Sequence, residues 1–395
     1  MNIAFVCHTN FRGNSGIQLF HLANALAEEG CGCVCVVPDG KETAADCGSP
    51  NFTAYDADEA MSDGLAFPDR SGPSLIHAWT PREHVRRTTE DLARRYGCPI
   101  VVHLEDNEEL LTASRIGISV EELFRLSDEE LDRRLPHFVA HPRRYRAFMA
   151  GAVGVTALVD RLHEFVPAGM PVQTFWPSCD SSLFRPMPPD PGLRAELGIA
   201  ESEIVLTYNG NVHQANKAEV RSLYLSVLFL NRMGHPARLI RLGSGIDCMD
   251  GARDAVAPHV LELGTRANRQ VPAFLALATA LVQPGSPGVF NDYRFPSKIP
   301  EFLAMGRPVV LPHSNIGLHM VHGENCLLLE TGHAGDIVGR VLMLKNDRAL
   351  AAHIGKGGRQ FFEAQLTWER AARHVVDFYR DIFDDRGIGA KAATH

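Results

Sequence analysis

One pattern, short β-rich runs alternating with amphipathic stretches, occurs twice along this 395-residue sequence and constrains its fold more than any other feature. It is the signature of parallel sheets flanked by helices. In the first half, MNIAFVCH reads as a strand and residues 17–29 as a helix, with Leu19, Leu22, Ala23 and Leu26 at helical spacing and Gly30 ending it. CVCVVP is a second strand, residues 75–79 a third, residues 81–95 a helix, and PIVVHLED, residues 99–106, a fourth strand.

Residues 114–150 break the rhythm with helix on helix: two capping-box sequences, Ser119 to Glu122 and Ser127 to Glu130, precede the basic stretch HPRRYRAF. Residues 151–160 return to strand, and the Pro-rich stretch 177–191 reads as an interdomain linker. The rhythm then restarts with EIVLTYNGN, a helix over 217–232, ARLIRLGSG, VPAFLALATALVQPG, a helix over 300–305, RPVVLP, CLLLE and a helix from Ala334. An amphipathic helix over 366–383 closes the chain, and no period of a solenoid or propeller is present.

At about 150 residues per domain, this length implies two or three units. The reading is a first domain over 1–176 with a helical insertion at about 114–150, a second over 177–365, and a last helix over 366–385. With 45% hydrophobic and 22% charged residues the chain has the composition of a packed protein. A net charge of -8 without a sustained basic block demands no nucleic acid partner. No signal peptide and no apolar run near about 18 residues is seen, so a cytoplasmic location is expected. The nine cysteines are odd in number and lack recurring spacing, which suits a reduced compartment. Cys31, Cys33 and Cys35 alternate as one face of a buried strand does, without the accompanying spacing of a metal site.

Ligands in open α/β sheets bind beyond the carboxyl ends of the strands, so candidate residues lie just after strands. RGNSGIQ, residues 12–18, can bring backbone N–H groups and a helix start to a phosphate, or be a structural turn. His103, followed by Glu105 and Asp106, can bond a substrate hydroxyl or act as a base; the alternative is a core histidine, and His77 calls for the same caution. In YNGNVHQANK, Lys217 at a helix start can face a diphosphate or be a solvated charge. NDYRFPSKIPEFLAMGRPVV is the sharpest group: Arg294 and Lys298 stand at a helix entrance, and Glu301 in its first turn can serve as a dipole partner or accept two hydrogen bonds from a ribose diol.

The run PSKIPEFLAMGRPVV, residues 296–310, resembles the donor signature of GT-B glycosyltransferases of family four, retaining enzymes that use nucleotide sugars. DSSLFRP, RLGSG, VLELGTRANRQVPAFLALATALVQPG and LTWERAARHVVDFY resemble further segments of that family in the same order. The resemblance covers nearly the whole chain, strongly after Asp180 and loosely before it. It implies two Rossmann-like domains facing across a cleft, with an acceptor half, a donor half, a hinge at the linker and a closing helix that crosses back onto the first domain. It also implies that Glu301 holds the ribose and that Lys217 with Lys298 or Arg294 neutralises the diphosphate. Gly16 would contact the diphosphate and His103 the donor sugar; Asn211, Gly243 and Ser297 complete the donor-binding set.

No metal and no cofactor beyond the nucleotide sugar is expected, and the acceptor is a glycan, lipid or small molecule, with peripheral membrane contact through the insertion as one arrangement. Two positions depart from the family: Tyr293 replaces its usual first glutamate, and Asn211 replaces an arginine near the diphosphate lysine. An epimerase or a sugar phosphorylase on the same fold, and a non-catalytic nucleotide-sugar-binding protein, are the rival readings.

Overall fold

The computed structural model describes residues 1–385. The chain separates into two compact units, one of Met1–Pro177 joined by the helix Trp368–Asp385, the other of Ser178–Thr367. In the first, β1 (Asn2–Cys7), β2 (Gly32–Val37), β3 (Thr53–Asp56), β4 (Leu75–Trp79), β5 (Ile100–Leu104), β6 (Gly154–Ala157) and β7 (Val172–Thr174) form one sheet. Its order is β3-β2-β1-β4-β5-β6-β7 and every pairing is parallel. β1 and β4 are buried along their whole length, hence their continuous apolar runs. The sequence reading lacks β3 and β7, which are edge strands with partly exposed residues and so carry little hydrophobic signal.

The helices Asn14–Glu28 and Trp368–Asp385 pack against this sheet in one core with Cys31, Cys33 and Cys35, so the alternating cysteines are strand packing. Gly154 marks the closest approach: a Cβ there would lie 2.5 Å from Cδ1 of Ile382. A buried polar chain ties the last helix to the sheet. Tyr379 bonds Nδ1 of His77 at 2.6 Å, Nε2 of His77 meets the Thr156 hydroxyl at 2.9 Å, and Thr156 meets Nδ1 of His103 at 2.8 Å.

The helical segment begins earlier than expected, at Glu108, and runs through Glu108–Ile116, Val120–Arg125, Asp128–Arg134 and Arg144–Ala150. Ser119 with Glu122 and Ser127 with Glu130 both form complete capping boxes, and Ala113, Leu123 and Leu131 make a small core. The basic stretch stitches this segment together. Arg143 pairs with Asp128, Arg144 with Asp132 at 2.7 Å, and Arg146 with Glu109 while covering the Phe124 ring. These three guanidiniums serve the fold instead of forming a free basic face.

In the second unit, β8 (Ile204–Asn209), β9 (Ala237–Leu242), β10 (Val260–Gly264), β11 (Ala280–Val282), β12 (Val309–Pro312) and β13 (Leu327–Leu329) form a parallel sheet in order β10-β9-β8-β11-β12-β13. β10 is again a half-exposed edge absent from the sequence reading, whereas the fully buried edge β13 was legible as CLLLE. The helix Arg348–Gln365 also escapes sequence reading, because Gly355, Gly357 and Gly358 weaken its helical signal. Packing explains two of them: a Cβ on Gly355 would stand 2.5 Å from the Gly306 carbonyl, and one on Gly357 2.2 Å from that of Glu324.

Burial pushes the His77 imidazole down to about 3, below the value of about 6.5 in an unfolded chain. The unfolded state therefore binds the extra proton in that window, so the stability carried by neutral His77 is complete above the unfolded value and drains as pH falls through the window. Relative to a His77→Gln variant, the wild type should lose about 2 kcal/mol between about pH 7 and about pH 5. Urea unfolding followed by tryptophan fluorescence reads this unit alone, since Trp79, Trp176 and Trp368 all belong to it; parallel pH profiles would contradict the account. In the second unit, Gly339→Ala, with open space around its helix position, should stabilise by roughly 0.5–1 kcal/mol. Gly355→Ala should destabilise by roughly 1–3 kcal/mol, both read by circular dichroism melts.

Candidate functional site

The second unit carries a cavity of about 230 Å³ at the carboxyl ends of its strands, lined by Asn209, Gly210, Asn211, Gly243, Thr265, Arg266, Ser297, Lys298 and Glu301. Its floor is the meeting of two turns. The chain leaves β8 through Gly210 and Asn211 and leaves β9 through Gly243 and Ser244, and the turns are bonded by Gly210 N–H to the Leu242 carbonyl and Val212 N–H to that of Ser244. Gly243 has φ +104°, and a Cβ there would stand 2.8 Å from the Gly210 carbonyl, so only glycine fits. Asn211 braces the same junction, its Oδ1 accepting the Ser244 N–H at 2.9 Å.

Beneath it, buried Arg241 donates to the Gly243 carbonyl at 2.6 Å and to that of Ser244. These bonds satisfy the Gly243 carbonyl and add a second donor to that of Ser244, which also accepts the Val212 N–H. Sequence reasoning missed Arg241; the two arginines, Arg238 and Arg241, that interrupt the apolar run ARLIRLG were the available signal.

The opposite wall is the start of the helix Ile299–Ala304. Pro300 sits in its first turn, where the missing N–H costs nothing, and Phe302, Leu303 and Ala304 bury its other face. Lys298 and Glu301 are thereby aimed into the cavity. Glu301 accepts from the Asn209 amide at 3.0 Å, and the Lys298 ammonium lies 5.6 Å over the Tyr208 ring. Enclosure disfavours both charges: it raises the Glu301 pKa, with the Asn209 bond and Lys298 opposing, and lowers that of Lys298, with Glu301 opposing and Arg294 assisting. The site thus joins an anion-seeking group to an acceptor.

Of the residues expected from sequence, Asn211, Gly243, Ser297, Lys298 and Glu301 come together here. Arg294 lies against the same region but is engaged, stacked 3.9 Å from the Phe290 ring centroid, bonded to Asn291 and ion-paired with Glu219 at 3.5 Å. Lys217 does not line the cavity; its ammonium pairs with Asp250, which also holds Arg221. Tyr293 follows the short helix Val289–Asp292, whose Asp292 accepts from the Ser314 hydroxyl.

The remaining two lie in the first unit. Gly16, in the first turn of Asn14–Glu28, is needed for packing: a Cβ would stand 2.1 Å from the Asn10 carbonyl. His103 carries no exposed surface and lies between the Trp79 and Phe175 rings, with centroids at 4.2 and 5.0 Å. Burial holds its pKa well below the usual value, so it is neutral, and the sugar contact expected of it meets an enclosed core side chain. Nearby Glu105, noted only as a neighbour in the sequence, accepts from Ser15 at 2.6 Å and Trp79 at 2.8 Å, and burial raises its pKa to about 7. Among the described residues no group of three or more His, Cys, Asp or Glu could hold a metal ion.

Two α/β units, each on a parallel sheet in this strand order, make the GT-B fold. No family model matches the sequence. Over 127 residues the chain is 27% identical to an uncharacterized glycosyltransferase of Methanocaldococcus jannaschii, a match covering 32% of this chain and 34% of that protein. Over 248 residues it is 29% identical to a GDP-mannose-dependent alpha-(1-6)-phosphatidylinositol monomannoside mannosyltransferase of Mycobacterium tuberculosis, covering 60% of this chain and 59% of that one. The matches thus span between about a third and three fifths of these curated relatives. Among solved structures, Anabaena HepE in complex with UDP is similar with a TM-score of 0.70 at 14% identity, covering 96% of this chain and all of that one.

Proposed function

We propose that the chain is a glycosyltransferase that moves a sugar from a nucleoside diphosphate sugar to an acceptor hydroxyl, with retention of configuration and without a metal ion. The observation that carries this reading is the cavity in which Lys298 and Glu301 face one space, since a nucleotide sugar presents both a diphosphate and a ribose diol. Resemblance to a GDP-mannose-dependent transferase and fold likeness to a protein bound to UDP support it. The reading keeps the reaction in the cytoplasm. The nine cysteines are all unbridged, and among the described residues no helix is long and apolar enough to cross a membrane.

In this mechanism Glu301, with one oxygen held by Asn209, accepts from the two ribose hydroxyls. As the bond between the anomeric carbon and the diphosphate breaks, negative charge grows on the leaving oxygen. Lys298 and the Ser297 hydroxyl meet it in a partly dehydrated space, where a fixed cation is worth more than in water. Lys298 therefore takes the charge-stabilising role, with Lys217 held by Asp250.

The test is transfer and binding with the UDP, GDP, ADP and TDP forms of common sugars. Lys298→Ala should lower kcat by roughly a hundredfold or more with the competent donor, while Glu301→Ala should chiefly raise KM. Unchanged turnover in both, or no nucleotide bound by the wild type, would sink the proposal. The pH dependence is a second check, made with an intact nucleotide sugar whose bridging phosphates stay ionised. Affinity should fall toward acid as Glu301, raised by enclosure, takes up a proton, and toward alkali as Lys298, lowered by enclosure, loses one. Calorimetry from about pH 5.5 to about pH 8.5 should show both limbs, and Glu301→Gln should lack the acid one.

A further inference from the structure

Resting on the nucleotide-sugar reading, we infer that Arg266 is a second diphosphate-binding cation of this site, a role for which the sequence motifs point elsewhere. A diphosphate linking a nucleoside to a sugar carries two negative charges. Lys298 supplies one positive charge from the cavity wall, which leaves the other unmatched. A further cation would match it, and the structure gives the obvious candidates other partners. Lys217 pairs with Asp250, Arg241 is directed into the carbonyls of Gly243 and Ser244, and Arg294 is engaged by Asn291, Glu219 and the Phe290 ring. Asn211, at the cavity floor, is neutral and its oxygen is bound to the Ser244 N–H.

Arg266 differs from all of these. It lines the same cavity as Lys298, is exposed, and makes no hydrogen bond or ion pair with another described residue. Its loop is not adrift: it follows β10, and the Gly264 carbonyl accepts the Gly243 N–H at 2.9 Å, tying the loop's root to the floor. A guanidinium there needs no dehydration while it waits and forfeits no partner when a ligand arrives. Its planar fork can bond two phosphate oxygens at once, which a lysine cannot. Lys298 would then meet the diphosphate from the helix side and Arg266 from the β10 side.

Calorimetry on the full chain with UDP, GDP, ADP and TDP first identifies the diphosphate that binds; if none binds to the wild type, the donor reading itself fails. With that diphosphate, Arg266→Ala should bind on the order of ten- to a hundredfold more weakly, and Arg266→Lys should fall between. The matching nucleoside, without phosphates, should bind both proteins equally by ligand-observed NMR. Arg269→Ala, a nearby exposed cation outside the cavity, should bind the diphosphate as the wild type does. Unchanged diphosphate affinity in Arg266→Ala overturns the inference and leaves the donor reading intact. An equal loss for nucleoside and diphosphate overturns it as well, because the residue would then act on the base or on the loop.

Discussion

A cation and a carboxylate three residues apart, both drawn partly out of water at the start of one short helix, set the terms for the second unit. Neither group tolerates enclosure unless something holds it: Asn209 at the end of β8 holds Glu301, and Lys298 rests over the Tyr208 ring. Both supports come from β8, so the helix start must lie close against that strand. The turns after β8 and β9 can meet beside it only because Gly243 takes a backbone conformation that other residues rarely adopt and leaves room for the Gly210 carbonyl.

The first unit solves a different problem with similar chemistry. Its core contains His77 and His103, joined through the Thr156 hydroxyl, with Tyr379 bonded to His77 and both imidazoles kept neutral by burial. This chain fastens the helix Trp368–Asp385 to the sheet with directional bonds that apolar packing cannot supply. The same burial encloses His103, whose Nε2 has no hydrogen-bond partner among the described residues. The basic stretch at 141–146 has a comparable fate, since its arginines are matched to carboxylates of the helical segment.

The sequence was legible wherever periodicity reflected burial. The central strands, the helices over 14–28 and 217–232, both capping boxes and the Lys298–Glu301 segment could all be read from local pattern. The edge strands β3, β7 and β10 could not, because half-exposed strands do not carry an apolar run. The helix Arg348–Gln365 was hidden by glycines retained for close backbone approach to Gly306 and Glu324. Local pattern encodes which face is wet and does not encode which other segment lies against it.

What the sequence determined by itself is therefore the two-part α/β class and the segment, 295–310, on which the candidate site is built. Tertiary structure decided which charges are available to a ligand. Lys217, Arg294 and Lys298 are marked in the sequence by their places at helix starts and Arg266 is not, yet local pattern does not say which of them has a partner in space. The fold turns the first to Asp250 and the second to Glu219 and Phe290, while leaving Lys298 and Arg266 on the cavity wall. The reason is physical: a charge is neutralised by whatever lies within a few ångströms in space, and residues distant in the chain supply that neighbour.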